Sequence, residues 1–596
     1  MIAFKNKHIH SACSLCCGAA AALALAACSD FSDYNEVVAD AKPSANQTLW
    51  ENIQQNVQLS DFAALVKRSG FDQELSASHY YTVWAPLNGT YSTADYQALS
   101  NSALLRQFVQ NHIASYAHSA SGQVDEHVMM LNEKSYLFEG ASTYTFDDVE
   151  LKDANLPSSN GVLHTLNGVA NFYPSLYEYV TDSTLAVGKE IDSLRNYFLR
   201  YELTYLDTEA SVPGSIVNGL QTYVDSVMVT ENSLWTMLRA RIQNEDSTYM
   251  FLMPTNKAWA ATYNRIKDCY RYLPTTVAQA FVTTGGTTSI ASTNASITID
   301  PSYWQDSIAC RNLTKNLIYS NNDNYNLWLS GKTSPYGTDT LRSTTNNKLS
   351  NTQAILAQTV EERKMSNGTA RLVDSLAFYP WETYAPERSI SAARSQNRAR
   401  VLTGNVQSFN VTFRDQDQED IQYVWIEPNG GYAKPELDLY LTNVLSSTYD
   451  LYCVFMPPYD QTGTTPEEWL PNRVIFTLNY CDENGTLKEY TFLDESEENV
   501  TSFQERFNLP DNASNATTIR AFSNDVTKID TLYLGEFTFP ACYYGLGDEI
   551  CPNIKISSPF SVFNKDLMEA YCRDLRIAAI ILKPKELVEF EESNKK

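Results

Sequence analysis

Histidine, the commonest general base in enzymes, is confined to the first part of this chain. All seven histidines lie at or before His164, so residues 165–596 contain no His base, no His metal ligand and no Ser-His-Asp triad. The motifs H-E-x-x-H, G-x-S-x-G and G-x-x-x-x-G-K-[ST] are absent from the sequence. Paired carboxylates for glycoside hydrolysis remain open, because their separation is a property of the fold. We therefore predict no catalytic residues and keep a carboxylate-dependent glycosidase only as a third alternative.

The acidic and cysteine residues form no recognisable metal motif either. The run Asp415–Asp420 lacks the Gly at position six and the Glu at position twelve of an EF-hand loop, where the chain has Asp420 and Ile426. Seven cysteines follow Cys28, an odd number without C-x-x-C spacing. The sequence predicts no metal and no cofactor, and it leaves Cys542 with Cys551 as the disulfide to test.

The N-terminus predicts export and lipid attachment. Lys5 and Lys7 precede an apolar run that ends in Leu25-Ala26-Ala27-Cys28. This ending resembles the bacterial lipobox, which implies a signal peptide over residues 1–27 and a lipid on Cys28. Residues 28–45 form an acidic tether, similar to the signal that sends lipoproteins to the surface of some Gram-negative bacteria. We predict a lipid-anchored outer-membrane protein that faces the cell exterior; the alternative is ordinary signal cleavage beside an incidental cysteine.

Length and charge set the broad class. A chain of 596 residues has room for about three or four domains, each able to bury its own core. The formal charge is −26, and loss of Lys5 and Lys7 with the leader lowers it by two to −28. Such an acidic surface repels phosphate backbones, so we predict no nucleic-acid partner.

A repeated strand and turn organise the first two thirds of the chain. The stretch Tyr81–Asn88, an apolar strand ending in Pro-x-Asn, recurs as Tyr249–Asn256. Asn160-Gly161 and Asn367-Gly368 form a second repeated pair in the same order. The prolines end the strands, and the side chains of Asn88 and Asn256 are expected to form hydrogen bonds with nearby backbone groups. These signatures resemble the fasciclin domain, which implies two tandem α+β modules at residues 46–180 and, with insertions, 183–384.

The resemblance also supplies candidate interaction residues. Asn111 and His112 occupy the place where fasciclin domains usually carry Tyr-His, although the Tyr is missing here. The helical spacing puts His112 on the apolar face, so a core or capping role is favoured over partner binding. His164 matches a strand histidine of the family and is interpreted as structural. The second copy has Leu317 and Arg371 instead, so copy one would bind any partner that uses these positions.

The last part of the chain has β patterning. Residues 385–400 are interpreted as a linker, and alternation such as Phe409-x-Val411-x-Phe413 predicts an all-β, jelly-roll-like sandwich over residues 401–590. Within it, Trp425, Tyr459 and Trp469 are candidates for stacking on a sugar ring, against the alternative of core or rim packing. A Gly/Ser/Thr-rich insertion at 283–294 in the second copy predicts an exposed loop.

These observations lead to one function and one alternative. Fasciclin domains are mostly adhesion and protein-interaction modules, so the resemblance implies a non-catalytic surface lipoprotein that binds a protein or glycan ligand. The alternative is an accessory glycan-binding lipoprotein of an outer-membrane nutrient importer, with the sandwich binding carbohydrate and transporter components as partners.

Overall fold

The fold is described by a computed structural model. It covers residues 45–217, 219–273, 275–284, 287–321, 340–401, 406–414, 420–428, 430–431, 434–458, 465, 468–496, 500–507, 509, 520–546 and 552–595. Cys28, Tyr459 and Cys551 lie outside these residues, as do the predicted signal peptide and nearly all of the predicted tether. The chain divides into two compact units, the first being Met1–Tyr179 with Ile242–Ser247 and Lys364–Gly368, and the second being the remainder.

The first unit combines short helices with one mixed sheet. Its helices are α1 (Leu49–Gln55), α2 (Ser60–Ser69), α3 (Asp72–Ser76), α4 (Thr93–Gln97), α5 (Asn101–Leu104) and the start of α6 (Leu176–Thr181), with 3-10 turns at Val57–Leu59 and Gln110–His112 and a π turn at Leu105–Val109. Its strands are β1 (Tyr81–Pro86), β2 (Ile113–Ser115), β3 (Val124–Met129), β4 (Ser135–Gly140), β5 (Tyr144–Phe146), β6 (Val149–Ser158) and β7 (Gly161–Leu166). The sheet order is β2-β1-β7-β6-β5-β4-β3.

The strand β1 is apolar because it is covered on both faces. It pairs in parallel with β7 and antiparallel with β2. Val83 and Ala85 join the core under the helices, while Trp84 joins a second core with Phe138 and Phe146. A strand buried on both faces needs a continuous apolar run, which the sequence supplies from Val83 to Pro86.

The repeated asparagines make the same contacts in both copies. The backbone N–H of Asp61, in the first turn of α2, donates to Asn88 Oδ1 at 3.0 Å. The backbone N–H of Ser193, in the first turn of a later helix, donates to Asn256 Oδ1 at 2.8 Å. Both asparagines therefore bond backbone groups, but these donors lie 27 and 63 residues away in the sequence and not in the nearby turn that was predicted. Each ties the end of its strand to the start of a helix that lies earlier in the chain.

Asn160 and Asn367 form the second matched pair. Asn160 Oδ1 accepts from the N–H of Leu49, and its Nδ2 donates to the carbonyls of Leu75 and Ala77. Asn367 Oδ1 accepts from the N–H of Leu176, and its Nδ2 donates to the carbonyls of Ile242 and Asn244. Each side-chain amide thus links the first backbone N–H of a helix, α1 or α6, to the carbonyl groups of a neighbouring turn.

Truncating this amide tests how much the motif stabilises the fold. Asn160→Ala is expected to lower the free energy of unfolding of the first unit by about 2–3 kcal/mol, because buried backbone groups lose their partners. Urea unfolding monitored by circular dichroism and tryptophan fluorescence measures the loss. Gln54→Ala, at an exposed position of α1, is the control and should change the value by less than about 0.5 kcal/mol. A loss for Asn160→Ala as small as the control's would contradict the argument.

The second unit is richer in strands. Its helices are α7 (Asp192–Leu199), α8 (Leu234–Leu238), α9 (Asn256–Asp268), α10 (Pro301–Thr314), α11 (Thr352–Leu356), α12 (Val500–Arg506), α13 (Lys565–Ala570) and α14 (Lys585–Asn594), with 3-10 turns at Pro380–Glu382 and Ser395–Asn397. Strands of its first part are β8 (Glu202–Val217), β9 (Leu220–Asn232), β10 (Tyr249–Pro254), β11 (Thr275–Thr284), β12 (Thr287–Thr298), β13 (Ile318–Ser320), β14 (Leu341–Arg342), β15 (Lys348–Leu349), β16 (Thr359–Met365) and β17 (Gly368–Val373).

The sheet order in this part repeats that of the first unit. The order β13-β10-β17-β16 corresponds to β2-β1-β7-β6, and the antiparallel register Tyr249↔Ser320 corresponds to Tyr81↔Ser115. The strands β8 with β9, β11 with β12 and β14 with β15 form separate two-stranded sheets. The insertion at 283–294 was expected to be an exposed loop, and this prediction is wrong for the described strands β11 and β12. The Thr, Val and Ile residues of these two strands are β-branched and suit an antiparallel pair.

The remaining strands form two six-stranded sheets. They are β18 (Arg388–Ser391), β19 (Arg398–Val401), β20 (Val406–Arg414), β21 (Asp420–Pro428), β22 (Glu436–Tyr440), β23 (Thr448–Phe455), β24 (Arg473–Cys481), β25 (Leu487–Phe492), β26 (Phe522–Ser523), β27 (Asp530–Thr538), β28 (Asn553–Ser557) and β29 (Leu575–Pro584). One sheet has the order β20-β21-β29-β23-β27 with β18 on β29, and the other has β19-β22-β28-β24-β25 with β26 on β24. The rings of Phe455 and Phe476 join the two sheets at 6.4 Å.

The linker prediction does not fit this topology. Arg388–Ser391 pairs with β29 and Arg398–Val401 pairs with β22, so two stretches of residues 385–400 belong to the two sheets. Polar composition misled the interpretation, since edge positions of a sheet accept charged side chains. The strands β24 and β25 are antiparallel and are joined by a hairpin turn through Asp482-Glu483-Asn484-Gly485, in which Gly485 has a φ of 78°.

Candidate functional site

His112 lies in the core of the first unit. It ends the 3-10 turn Gln110–His112, which follows the π turn and leads into β2. The ring is fully buried, with ring-centre distances of 5.0 Å to Phe108 and 6.3 Å to Phe62. Nδ1 donates to the Phe108 carbonyl at 2.7 Å, and Nε2 accepts from the Ala170 N–H at 3.1 Å. Burial lowers the pKa of His112 to about 4, so the imidazole is neutral.

Asn111, the other half of the predicted dyad, is equally buried. Its Nδ2 donates to the Ala170 carbonyl at 3.1 Å. Its Oδ1 accepts from Asn132 Nδ2 at 2.8 Å and from the Tyr136 hydroxyl at 2.7 Å. A partner cannot touch either side chain of the dyad on the folded surface. Their contacts are those of residues that hold the end of β2 to the loop before α6.

His164, on β7, is also buried, and both of its ring nitrogens are hydrogen-bonded. Its ring stacks on Trp84 at 5.5 Å, Nε2 donates to the His118 carbonyl at 2.9 Å, and Nδ1 accepts from the Asn155 N–H at 3.3 Å. Burial lowers its pKa to about 4. A neutral ring with one donor and one acceptor, both engaged, has no free nitrogen to act as a base or ligand.

A buried charge cluster in the first unit was missed by the sequence reasoning. Lys134 is 3% exposed, and its Nζ lies 2.9 Å from Glu178 and 2.7 Å from Glu245. Glu178 also pairs with Arg106, and the Ser366 hydroxyl donates to Glu245 at 2.9 Å. Burial lowers the pKa of Lys134. No local signal marks these residues, because the cluster draws on five stretches of chain that are far apart in sequence.

Two of the predicted aromatic residues lie at one cleft of the second unit. Trp469 and Leu470 form part of its wall, together with Met456 and Tyr571, and the cavity measures about 280 Å³. Trp425 stands behind this wall, where its Nε1 donates to Asp574 at 3.1 Å and its ring lies 4.7 Å beneath the Arg576 guanidinium. Asp574 and Arg576 both line the cavity. The third predicted aromatic, Tyr459, lies outside the described residues.

The described residues contain no group of three or more His, Cys, Asp or Glu side chains placed to hold a metal ion. Within the same part of the chain, no helix is both long and apolar enough to span a bilayer.

Cys542 is buried and its pKa is raised by burial to about 12, so its thiol is unreactive as placed.

Comparison with known proteins bears on the first unit. Residues 57–171 match the fasciclin domain. The matched segment contains α2 through β7, including Asn111, His112 and His164. A solved FAS1 domain pair from the insect cell adhesion molecule fasciclin I covers 55% of this chain and 98% of its own, at 12% identity and a TM-score of 0.19. No curated protein matches the chain. Fasciclin domains are generally linked to adhesion or protein interaction and are typically not enzymes.

Proposed function

We propose that this chain is a non-catalytic lipoprotein of the bacterial outer membrane that binds another protein at the cell surface. Cys28 carries the lipid, two tandem fasciclin-like domains follow, and the two C-terminal sheets form a sandwich. The equal sheet orders and the matched contacts of Asn88 with Asn256 and of Asn160 with Asn367 support the tandem arrangement. The neutral, buried histidines support a structural rather than a catalytic role for this part of the chain.

The observation that carries the binding role is the hairpin formed by β8 and β9. Nine large apolar side chains on it are more than a third exposed: Leu203, Tyr205, Val212, Ile216, Val217, Leu220, Val224, Val227 and Met228. Clustered exposed apolar groups of this kind mark interaction surfaces, whereas singly scattered ones do not. Both edges of this two-stranded ribbon lack further strands in the described sheets, so a partner could also add a strand.

The charge of the hairpin indicates the chemistry of its partner. Residues 202–232 contain five acidic residues and no lysine or arginine. A second copy of the chain or an anionic lipid surface would meet like charge there. The expected partner is therefore a protein whose contact surface combines apolar and basic groups.

Substitutions at the hairpin tip test this role. The triple change Ile216→Thr, Leu220→Thr and Val224→Thr keeps β-branched or β-compatible residues while removing apolar area. We expect at least a tenfold drop in the protein partner recovered with the tagged, lipid-anchored chain from gently solubilised outer membranes, measured by mass spectrometry.

The control carries the same kind of change elsewhere. Val57→Thr and Val187→Thr alter side chains that are 83% and 74% exposed but lie outside the hairpin, and recovery should be unchanged. Equal recovery with the triple variant and the control would overturn the role of the hairpin. If the lipoprotein is recovered alone at every expression level, the proposal of a stable protein partner in its own membrane is wrong. The partner would then be sought on other cells.

The cleft beside Trp469 favours a second candidate function. In that case the chain is an accessory glycan-binding lipoprotein of an outer-membrane nutrient importer, and the C-terminal sheets carry the carbohydrate site. Stoichiometric recovery of a transporter with its partner lipoproteins in the same purification would support this candidate over free-standing adhesion.

A further inference from the structure

We propose that the cleft bounded by Trp469, Tyr571 and the start of β29 binds one ring of a neutral carbohydrate. This assignment rests on the second candidate function and names its site. The cleft draws its wall from the ends of several elements of the two-sheet region, namely β21, β23, β29 and α13, and from the segment before β24. A site at the ends of strands is built on a rigid frame and is open on one side to solvent.

The size of the cleft suits a single sugar unit. Its volume of about 280 Å³ lies just below the range of ligand pockets for drug-sized molecules, which is roughly 300–1,000 Å³. A longer oligosaccharide would therefore place one ring inside and extend its neighbours along the rim. Glu468 and Leu470 are exposed on that rim and would contact the flanking units.

The apolar part of the wall supplies stacking surface. Trp469 is half-buried, so one part of its indole is held by the protein while another remains accessible. Met456 and Tyr571 extend this apolar surface into the cleft. The C–H face of a pyranose ring packs on such a surface, while its hydroxyl edge points to polar groups.

The polar part of the wall is fixed before any ligand arrives. Asp574 is held by Trp425 Nε1 and by Arg576, whose guanidinium lies over the Trp425 ring. Asn472 is held through its Nδ2 by the carbonyl of Cys572, and its N–H donates to Asn524 Oδ1 at 2.7 Å. A rigid set of donors and acceptors binds hydroxyl groups with little loss of side-chain entropy, since the side chains are already ordered.

The charge balance of the lining selects the ligand class. Glu468 and Asp574 contribute two carboxylates, and Arg573 and Arg576 contribute two guanidinium groups. A phosphate or a uronic acid would meet both carboxylates, and a cation would meet both guanidinium groups. A purely aliphatic ligand would bury charged groups without giving them partners. A neutral ring with hydroxyl groups that both donate and accept satisfies the whole lining.

The test is calorimetric titration of the full mature chain with neutral oligosaccharides of glucose, galactose, mannose and xylose. Oligogalacturonate and inorganic phosphate are titrated as charged probes. We expect saturable binding of at least one neutral probe and none of the charged ones. Trp469→Ala should weaken binding about tenfold, since it removes the stacking face. Tyr303→Ala, which truncates an aromatic side chain that is 68% exposed elsewhere in the same unit, should leave the affinity unchanged.

Two further measurements distinguish the ways in which the proposed carbohydrate site could be wrong. Glu468→Gln changes an exposed rim group and should keep the fold while altering affinity at least threefold for oligosaccharides, so misfolding of the Trp469 variant does not end the test. Binding of a neutral glycan that is insensitive to both variants would overturn the cleft while leaving a glycan-binding function. Binding of a charged probe alone would overturn the ligand class. No binding by any neutral probe, together with recovery of a transporter in the membrane purification, would overturn the proposal and leave the importer association intact.

Discussion

Replacing Lys134 with Ala is expected to lower the free energy of unfolding of the first unit by about 3–5 kcal/mol. The change leaves Glu178 and Glu245 in a site where Lys134 supplied an ammonium group to both. Removing one member of a buried ion cluster is costly because the remaining charge is desolvated and loses its counter-ion. Urea unfolding of the full chain, followed at the transition that belongs to the first unit, measures the effect.

Two comparisons distinguish the lost charge from lost packing. Lys152→Ala alters an exposed lysine of the same unit and should change stability by less than about 1 kcal/mol. Combining Lys134→Ala with Glu245→Gln removes one of the carboxylates that would be left, so part of the lost stability should return. A double variant no more stable than the single one would show that unpaired charge is not the cause.

The charge cluster around Lys134 connects segments of the first unit that are distant in sequence. Glu245 and Ser366 belong to two short segments, Ile242–Ser247 and Lys364–Gly368, that are distant in sequence but part of the first unit. The amide of Asn367 adds hydrogen bonds to Leu176 and Ile242 within that unit. A chain truncated after Tyr179 would therefore retain the matched fasciclin segment but lose one carboxylate and one hydroxyl of the cluster.

The sequence could predict elements whose signals are local. The strand Tyr81–Pro86 is apolar except for Thr82 and is closed by a proline, and both features act within a few residues. Burial of His112 was favoured for a similar reason, since its helical spacing aligned it with Leu105, Phe108 and Val109. The asparagines after the two prolines were predicted to bond nearby backbone because Asn does so in turns, but their backbone donors lie 27 and 63 residues away in the sequence.

Other features depend on distant residues and left no local signal. The ribbon of β8 and β9 contains Pro213, Gly214 and several register shifts, which disrupt the alternation that marks a strand. Trp425 and Trp469 could each be named as exposed aromatic candidates. Their association through Asp574 and Arg576 required the pairing of β21 with β29, which no short-range pattern specifies.

Acid is expected to destabilise the fasciclin domain through its two buried histidines. Both His112 and His164 accept a backbone N–H on one ring nitrogen and donate to a carbonyl from the other. Protonation would place an N–H against the N–H of Ala170 or Asn155, and the charge would be buried. Burial accordingly lowers the pKa of each from 6.5 to about 4.

The sign of the pH dependence follows from proton binding. Below pH 6.5 the unfolded chain takes up a proton on each histidine, while the folded domain does not until about pH 4. The stability from the neutral histidines is therefore complete above pH 6.5 and is lost as the pH falls towards 4. Each histidine accounts for a loss of about 3 kcal/mol across that window, with a slope approaching about 1.4 kcal/mol per pH unit.

Urea unfolding at pH 7.5, 6.5, 5.5 and 4.5 measures this slope. His164→Gln keeps a polar side chain of similar length but does not titrate, so it should reduce the part of the pH-dependent loss that the two histidines cause by about half, even though it lowers stability at pH 7.5. His79→Gln, whose parent side chain is 72% exposed, should leave the slope unchanged. Carboxylates titrate in the same range in all three proteins, so only the difference between slopes reports the histidines. If His164→Gln and the wild type lose stability equally from pH 6.5 to 4.5, the buried neutral ring does not control the acid response.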